Sequence, residues 1–262
     1  MSARRLVLAG LVLAFSLASG ASRAQDPYHE SIEIGLNADR ITITSGFRGT
    51  NLTIFGALDG ADPQLAREGR YDVIVVLQGP PQTLIVRRKA RILGMWITVE
   101  SKSFRNVPAS YTEASTRAPQ DITSPKIYRE LALGPEYIYL EPVIRTDPEQ
   151  VKEFTRALRT LKKTSALYSV NPGGVEFLSS TLFRATLPLP PDIPVGTHIA
   201  RAYLFRNGQF VMQKSAQLEI VKSDFERSVY EAAHDHSFYY GFFCVLLAMG
   251  IGWGGRFFFR RD

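Results

Sequence analysis

Tyr71-Asp72-Val73-Ile74-Val75-Val76-Leu77 is a run of β-branched and apolar residues, closed by the turn signal Gly79-Pro80-Pro81. Such a run between turn formers is too short for a helix of ordinary length and reads as a β-strand. Upstream, Ile32-Ile34-Leu36 and Ile41-Ile43 alternate with polar residues, and Leu52-Ile54 runs on into Phe55. Downstream, Thr83 to Val86 is a second β-branched run, and Met95 to Val99 holds Trp96. Asn37-Ala38-Asp39, Ser45-Gly46, Asp59-Gly60 and Gly94 punctuate the series. About five or six short strands at this spacing predict a mainly β fold, an immunoglobulin-like β-sandwich. The cysteine pair of antibody domains is absent, because Cys244 is the only cysteine. Stability is therefore expected from an ordinary hydrophobic core.

The period changes after residue 123. Ser124-Pro125 fits an N-cap followed by proline at the first helical position, and Gly134 fits the glycine past a helix end. A short helix over Pro125 to Leu133 follows. Thr146-Asp147-Pro148-Glu149 opens a second helix, with Glu149 placed to close a capping box on Thr146. Val151, Phe154, Leu158 and Leu161 recur at helical spacing, with Lys152, Arg156, Arg159, Lys162 and Lys163 mostly opposite. That pattern predicts an amphipathic helix lying on the sheet and ending before Asn171-Pro172-Gly173-Gly174. The helical insertion covers roughly residues 124–168. Strands return with Leu182-Arg184-Thr186 alternating against Phe183-Ala185-Leu187. Thr197 to Phe205 and Gln209 to Val221 are joined by Arg206-Asn207-Gly208, a strong hairpin signal. Three strands make no stable sandwich alone, so they are expected to complete the first sheet pair, with a second small β unit as the alternative.

Both termini carry membrane signals. Arg4-Arg5, the apolar run Leu6 to Leu17 and Ser22-Arg23-Ala24 have the order of a secretory signal peptide over residues 1–24, and Arg4-Arg5 also suits a twin-arginine signal. Ser237 to Gly255 holds nineteen residues without a charge, followed by Arg256, Arg260 and Arg261. That is the length of one transmembrane helix, with residues 256–262 cytoplasmic by the positive-inside rule and residues 25–236 periplasmic. Ser223-x-x-Glu226 predicts a capped juxtamembrane helix over 223–236 that joins the β region, 25–222, to the span. With the terminal arginines and Asp262 set aside, residues 25–236 hold 25 basic and 24 acidic side chains. The basic pI thus belongs to targeting and topology, and no nucleic-acid partner is expected.

Few clusters suggest chemistry. His234 and His236, with Glu231 one turn earlier, are weak metal-ligand candidates, since residues two apart do not share a helix face. Arg87, Lys89 and Arg91 would share one face of a strand and are candidates for an anionic ligand, or for cations that protect a sheet edge. Ala248, Gly250, Gly252 and Gly254 form overlapping small-xxx-small pairs that would allow a homodimer through the span. His29 and His198 read as isolated structural residues. G-x-S-x-G, H-E-x-x-H, C-x-x-C and the phosphate-binding loop are all absent, so no catalytic residue and no cofactor is indicated.

Gly69 to Gly79 (GRYDVIVVLQG), Leu93 to Glu100 (LGMWITVE), Leu187 to Gly196 and the terminal GGRFFFRRD together resemble a family of uncharacterised alphaproteobacterial transmembrane proteins. The resemblance implies a signal peptide, an exported β-rich region and one C-terminal span in a Gram-negative inner membrane, facing the periplasm. It further implies work beside a membrane permease of the sulfite-exporter type, and it supplies no catalytic residues. The function expected is a non-enzymatic, membrane-anchored binding or scaffolding protein with an integral-membrane or periplasmic protein partner. A ligand- or metal-binding domain, and an enzyme with an unrecognised site, are the alternatives.

Overall fold

The structure is a computed structural model that describes residues 30–144, 147–223, 241–242 and 245–251. It is mainly β, with thirteen strands in three sheets among the described residues. The first sheet is ordered β1 (Ser31–Leu36), β3 (Thr50–Asp59), β11 (Leu182–Leu189), β10 (Val175–Phe177). The second runs β2 (Arg40–Ile43), β13 (Gln209–Lys222), β12 (Gly196–Arg206), β4 (Tyr71–Gln78), β7 (Tyr111–Ser115), β9 (Tyr168–Pro172). The third is β5 (Pro81–Ile92), β6 (Met95–Pro108) and the short β8 (Glu141–Pro142). Four helices lie among the strands: α1 (Pro63–Arg67), α2 (Pro119–Ile122), α3 (Pro125–Glu130) and α4 (Pro148–Thr164).

Strand β4 explains the layering. Tyr71 to Leu77 are all buried, and the two sides of the strand belong to different cores. Val73, Val75 and Leu77 pack with Ile54, Phe183, Leu187, Leu204 and Ile220, joining the first sheet to the second. Ile74 and Val76 pack with Phe104, Val107, Phe154, Leu158 and Phe205, joining the second sheet to the helices and the root of the third. An unbroken apolar run is what burial on both faces requires. The C-terminal strands complete the sheets begun by the N-terminal ones: β11 pairs with β3, and β12 lies between β4 and β13. The hairpin at Asn207-Gly208 is present, with φ of +48° and +81° as a two-residue turn of that hand needs.

The helical segment is a crossover. Strand β9 adds to β7 in parallel, Tyr111 opposite Tyr168 and Ser115 opposite Pro172. A parallel neighbour cannot be reached by a tight turn. Helices α2 to α4 carry the chain across, so the insertion begins at Pro119 and its last helix stops at Thr164, leaving Tyr168–Pro172 as strand.

Three local expectations change. Asp147, not Thr146, caps α4, accepting from the Glu149 amide at 3.2 Å, and Thr146 lies outside the described residues. Helix α3 ends at Glu130, and the left-handed residue just past its cap is Ala132, with φ +51°, while Gly134, at φ +79°, turns the chain again two residues later. The Ala132 amide donates to Arg129 and the Leu133 amide to Tyr128, the paired bonds of a Schellman end. On α4 the buried row is Phe154, Leu158 and Lys162, spaced by four, while Leu161 is exposed. Lys162 lies in that row because its ammonium donates to the Ala109 carbonyl at 2.8 Å and sits 5.8 Å from the Tyr168 ring centroid.

Among the described residues no helix is long and apolar enough to cross a membrane. Of the expected span, 241–242 and 245–251 are described, and they are helical and exposed. Residues 1–24, the juxtamembrane stretch 224–236 and the tail 256–262 lie outside the described residues.

Candidate functional site

Strand β7 is buried at every position although its sequence, Tyr-Thr-Glu-Ala-Ser, is largely polar. Such a strand needs a partner for each polar group. The fully buried Glu113 carboxylate accepts from the Tyr111 hydroxyl at 2.6 Å, from the Gly134 amide at 2.9 Å and from the Tyr128 hydroxyl. Burial, followed by the charge of Glu113, pushes both tyrosines well above the ordinary phenol range, so both stay protonated near neutrality and donate to the carboxylate, while the Tyr111 oxygen also accepts from the Gly134 amide at 2.7 Å. Gly134 belongs to the set for space as well, because a Cβ there would lie 2.9 Å from the Tyr128 ring. Tyr128 reaches outward, lining a shallow cavity of about 260 Å³ with Tyr137 and Thr123, while the carboxylate itself is closed off. The arrangement docks α3 and the following turn onto β7.

A second polar pair sits at the bend between β4 and β5. Ser110 Oγ lies 3.2 Å from His198 Nε2, and His198 Nδ1 lies 3.1 Å from the Gly196 carbonyl. A carbonyl only accepts, so Nδ1 carries the proton and Nε2 accepts from the serine. Serine beside histidine is the beginning of a nucleophile-activating pair. Both residues are buried, however, and no carboxylate bonds either among the described residues. Burial also pulls the His198 pKa below the usual histidine value. The pair pins a bend and has no route to a substrate. The sequence reading of His198 as structural agrees with this, but Ser110, eighty-eight residues away, carried no local signal.

Open polar surface is found at a cleft of about 710 Å³ beside the Asn207-Gly208 turn, with Arg70 and Arg117 in its wall. Its cations are already engaged. Arg117 grips the buried Asp72 through Nε at 2.9 Å and through Nη2, and Thr116 donates to the same carboxylate at 2.7 Å. Arg70 lies 3.6 Å from Glu68.

Among the described residues the most exposed large apolar side chain, Leu93, is on the β5–β6 hairpin. Its root is anchored, with Val86, Phe104 and Val107 buried in the second core. Arg88 bonds Glu100 across the hairpin at 2.7 Å and reaches Glu153 of α4 at 3.2 Å. Beyond Arg88 the two strands leave the core. Leu93 is 94% exposed, Trp96 69% and Met95 64%, and Ile92, Ile97 and Val99 are exposed with them. The turn is two residues, Leu93 at φ +49° and Gly94 at φ +83°. Asparagine, aspartate or glycine suits the first of these positions, whereas a leucine held there costs about 1–2 kcal/mol.

Arg87, Lys89 and Arg91 do share one face, opposite Ser101, Thr98 and Trp96 on β6. Among the described residues none of the three has a carboxylate partner, and Arg91 Nε makes only a long contact with the Gly94 carbonyl at 3.4 Å. The expected edge position is also observed, as β5 is an outer strand of its sheet. What the sequence reading did not extract is that the adjacent Leu93-to-Val99 stretch is outside the core. Its composition matches that of a buried strand, and the unusual leucine in the turn was the available sign.

The other candidates are not assembled here. His234, His236, Glu231, Gly252 and Gly254 lie outside the described residues, and Ala248 and Gly250 are on an exposed helical stretch. Among the described residues no cluster of histidine, cysteine or acids could hold a metal ion.

No curated protein matches the chain. A solved structure, the sporulation control protein Spo0M from Bacillus subtilis, is similar at 11% identity over 79% of this chain, with a TM-score of 0.27. The chain spans 55% of that protein's length, and so loose a superposition transfers neither fold nor role. The family model described as "Putative transmembrane protein (Alph_Pro_TM)" matches residues 31–261, nearly the whole of the described β region and the C-terminal stretch. The chain belongs to the Alph_Pro_TM family.

Proposed function

We propose that this protein is a membrane-anchored periplasmic binding or scaffolding protein without catalytic activity. In this reading an immunoglobulin-like sandwich serves as platform, and the partner is an integral-membrane or envelope protein, with a permease of the sulfite-exporter type the candidate class. The observation that carries the reading is the division between closed and open groups. The pairs that resemble reactive chemistry, Glu113 with its tyrosines and Ser110 with His198, are buried structural contacts. The surface left open is the apolar end of a braced hairpin, Leu93 with Met95 and Trp96, which is the composition of a contact and not of an active site. Export through residues 1–24 and anchoring through 237–255 are read from the sequence, and the family's description as transmembrane supports the anchor.

The test is isolation of the full chain from its native membranes in mild detergent, with identification of the proteins recovered with it. A membrane or envelope protein in near-stoichiometric amount is the expected result. Recovery of the chain alone, after cross-linking in intact cells as well, would overturn the proposal.

A further inference from the structure

The hairpin end combines three features that point to one kind of surface. Its apolar side chains are exposed, from 43% at Ile97 to 94% at Leu93, the latter in a backbone conformation that leucine rarely adopts. Its aromatic residue is tryptophan, the side chain that settles at the boundary between hydrocarbon and headgroups. Directly behind it, on the same face as Trp96, stand Arg87, Lys89 and Arg91, with no carboxylate among the described residues to neutralise them. An apolar point followed by a cationic collar complements an anionic bilayer surface, apolar atoms below the headgroups and cations at the phosphates. A protein partner that covered the collar as well as the tip would need acids opposite these three charges.

Chain geometry makes the contact reachable. Gly196 pairs with Ile220 near the end of β13, and a Cβ on Gly196 would lie 3.1 Å from Pro80, at the root of the arm. The root of the arm and the end of β13, from which the chain continues toward residues 224–262, thus lie at one end of the second sheet. Thirteen residues separate Ser223 from Ser237, about 20 Å if helical. Beyond Arg88 strand β5 runs on for four residues to Ile92, about 13 Å past the core.

We propose that Ile92 to Ile97 insert into the interfacial layer of an anionic lipid bilayer, with Arg87, Lys89 and Arg91 against the headgroup phosphates. This rests on the reading of the chain as membrane-anchored, and it gives the protein a second membrane contact besides its span.

The chain has two tryptophans, Trp96 and Trp253, one in the arm and one in the expected span. Full-length Trp253→Phe and Trp96→Phe variants, reconstituted into vesicles containing brominated phosphatidylglycerol, report the two places separately. Bromolipid quenching and a blue-shifted emission are expected at both. Substituting Arg87, Lys89 and Arg91 together by glutamate, or Leu93 by aspartate, should reduce the quenching of Trp96 by about half or more and leave Trp253 unchanged. Replacing phosphatidylglycerol by brominated phosphatidylcholine should act in the same direction. Quenching of Trp253 with Trp96 open to iodide would overturn the arm's insertion and leave the anchor standing. Loss of both signals would overturn the anchor itself. Shielding of Trp96 that follows protein density, without bromolipid quenching, would assign the tip to contact between copies and equally refute the proposal.

Discussion

Glu113 shows how much of this fold depends on single polar side chains that no neighbour in sequence announces. Its carboxylate holds the buried Tyr111 hydroxyl, the half-buried Tyr128 hydroxyl and the Gly134 amide, so Glu113→Ala leaves both hydroxyls without an acceptor while the amide keeps the Tyr111 oxygen. Unsatisfied buried groups cost on the order of 1–3 kcal/mol each, and partial relaxation reduces the sum. We expect a loss of about 2–4 kcal/mol in urea unfolding; a change below about 1 kcal/mol would mean the cluster is not closed as described. His198 gives a pH dependence of definite sign. Its pKa is depressed in the folded state, so above the ordinary value of about 6.5 the histidine is neutral in both states and its contribution is complete. As pH falls through that value the unfolded chain takes up the proton first, and stability is lost progressively toward the lower folded pKa. The unfolding midpoint should therefore fall between about pH 7 and pH 5, and His198→Asn should flatten that part of the curve. Equal slopes in the two proteins would show that other groups govern it.

Two elements were legible to different depths. Helix α4 was readable from its amphipathic period, and Phe154 and Leu158 face the core as that period requires. The last turn was misassigned because lysine was counted as polar. Lys162 buries its stem along the row and finds the Ala109 carbonyl for its ammonium. Leu161→Lys should consequently change stability by less than about 0.5 kcal/mol. Lys162→Ala, which strands that carbonyl and removes the packed stem, should cost about 1–2 kcal/mol. The reverse order, read by thermal unfolding, would reinstate Leu161 as the core position. In the arm, the two-residue period correctly put Arg87, Lys89 and Arg91 on one face. The turn carries its own prediction: Leu93→Asn relieves the left-handed leucine and should stabilise the protein by about 1 kcal/mol, while weakening membrane contact. A leucine that lowers stability in full exposure is retained for something other than folding. Unchanged or lower stability in Leu93→Asn would remove that argument.

At the scale of the whole molecule, what was readable was whatever chemistry is local. The Asn207-Gly208 turn, the alternation in β11 and the apolar run in β4 each stand in a few consecutive residues. The three-layer arrangement was not readable as such, since it depends on both faces of β4 finding cover, one from β3 and β11 and the other from α4 and the crossover. Strand β7 was invisible for the same reason: its charged residue, Glu113, becomes core only through partners outside the strand, Tyr128 and Gly134. The arm is hidden in the opposite sense, because Met95 to Val99 has the composition of a core strand and lies outside both cores. This separation makes the distal arm dispensable for folding. Residues 87–101 can be replaced by Asn-Gly, joining Val86 to Lys102, which already face each other across the hairpin. The excision removes the exposed Arg88 pairs with Glu100 and Glu153, worth little at a surface. Both cores keep Val86, Phe104 and Val107. The shortened full chain should unfold within about 4 °C of the intact protein, the shift that about 1 kcal/mol produces in a domain of this size. It should keep its near-ultraviolet circular dichroism apart from the lost Trp96 signal. A larger drop would show that the distal arm belongs to the folding unit, and its exposed residues could then no longer be read as surface kept for contact.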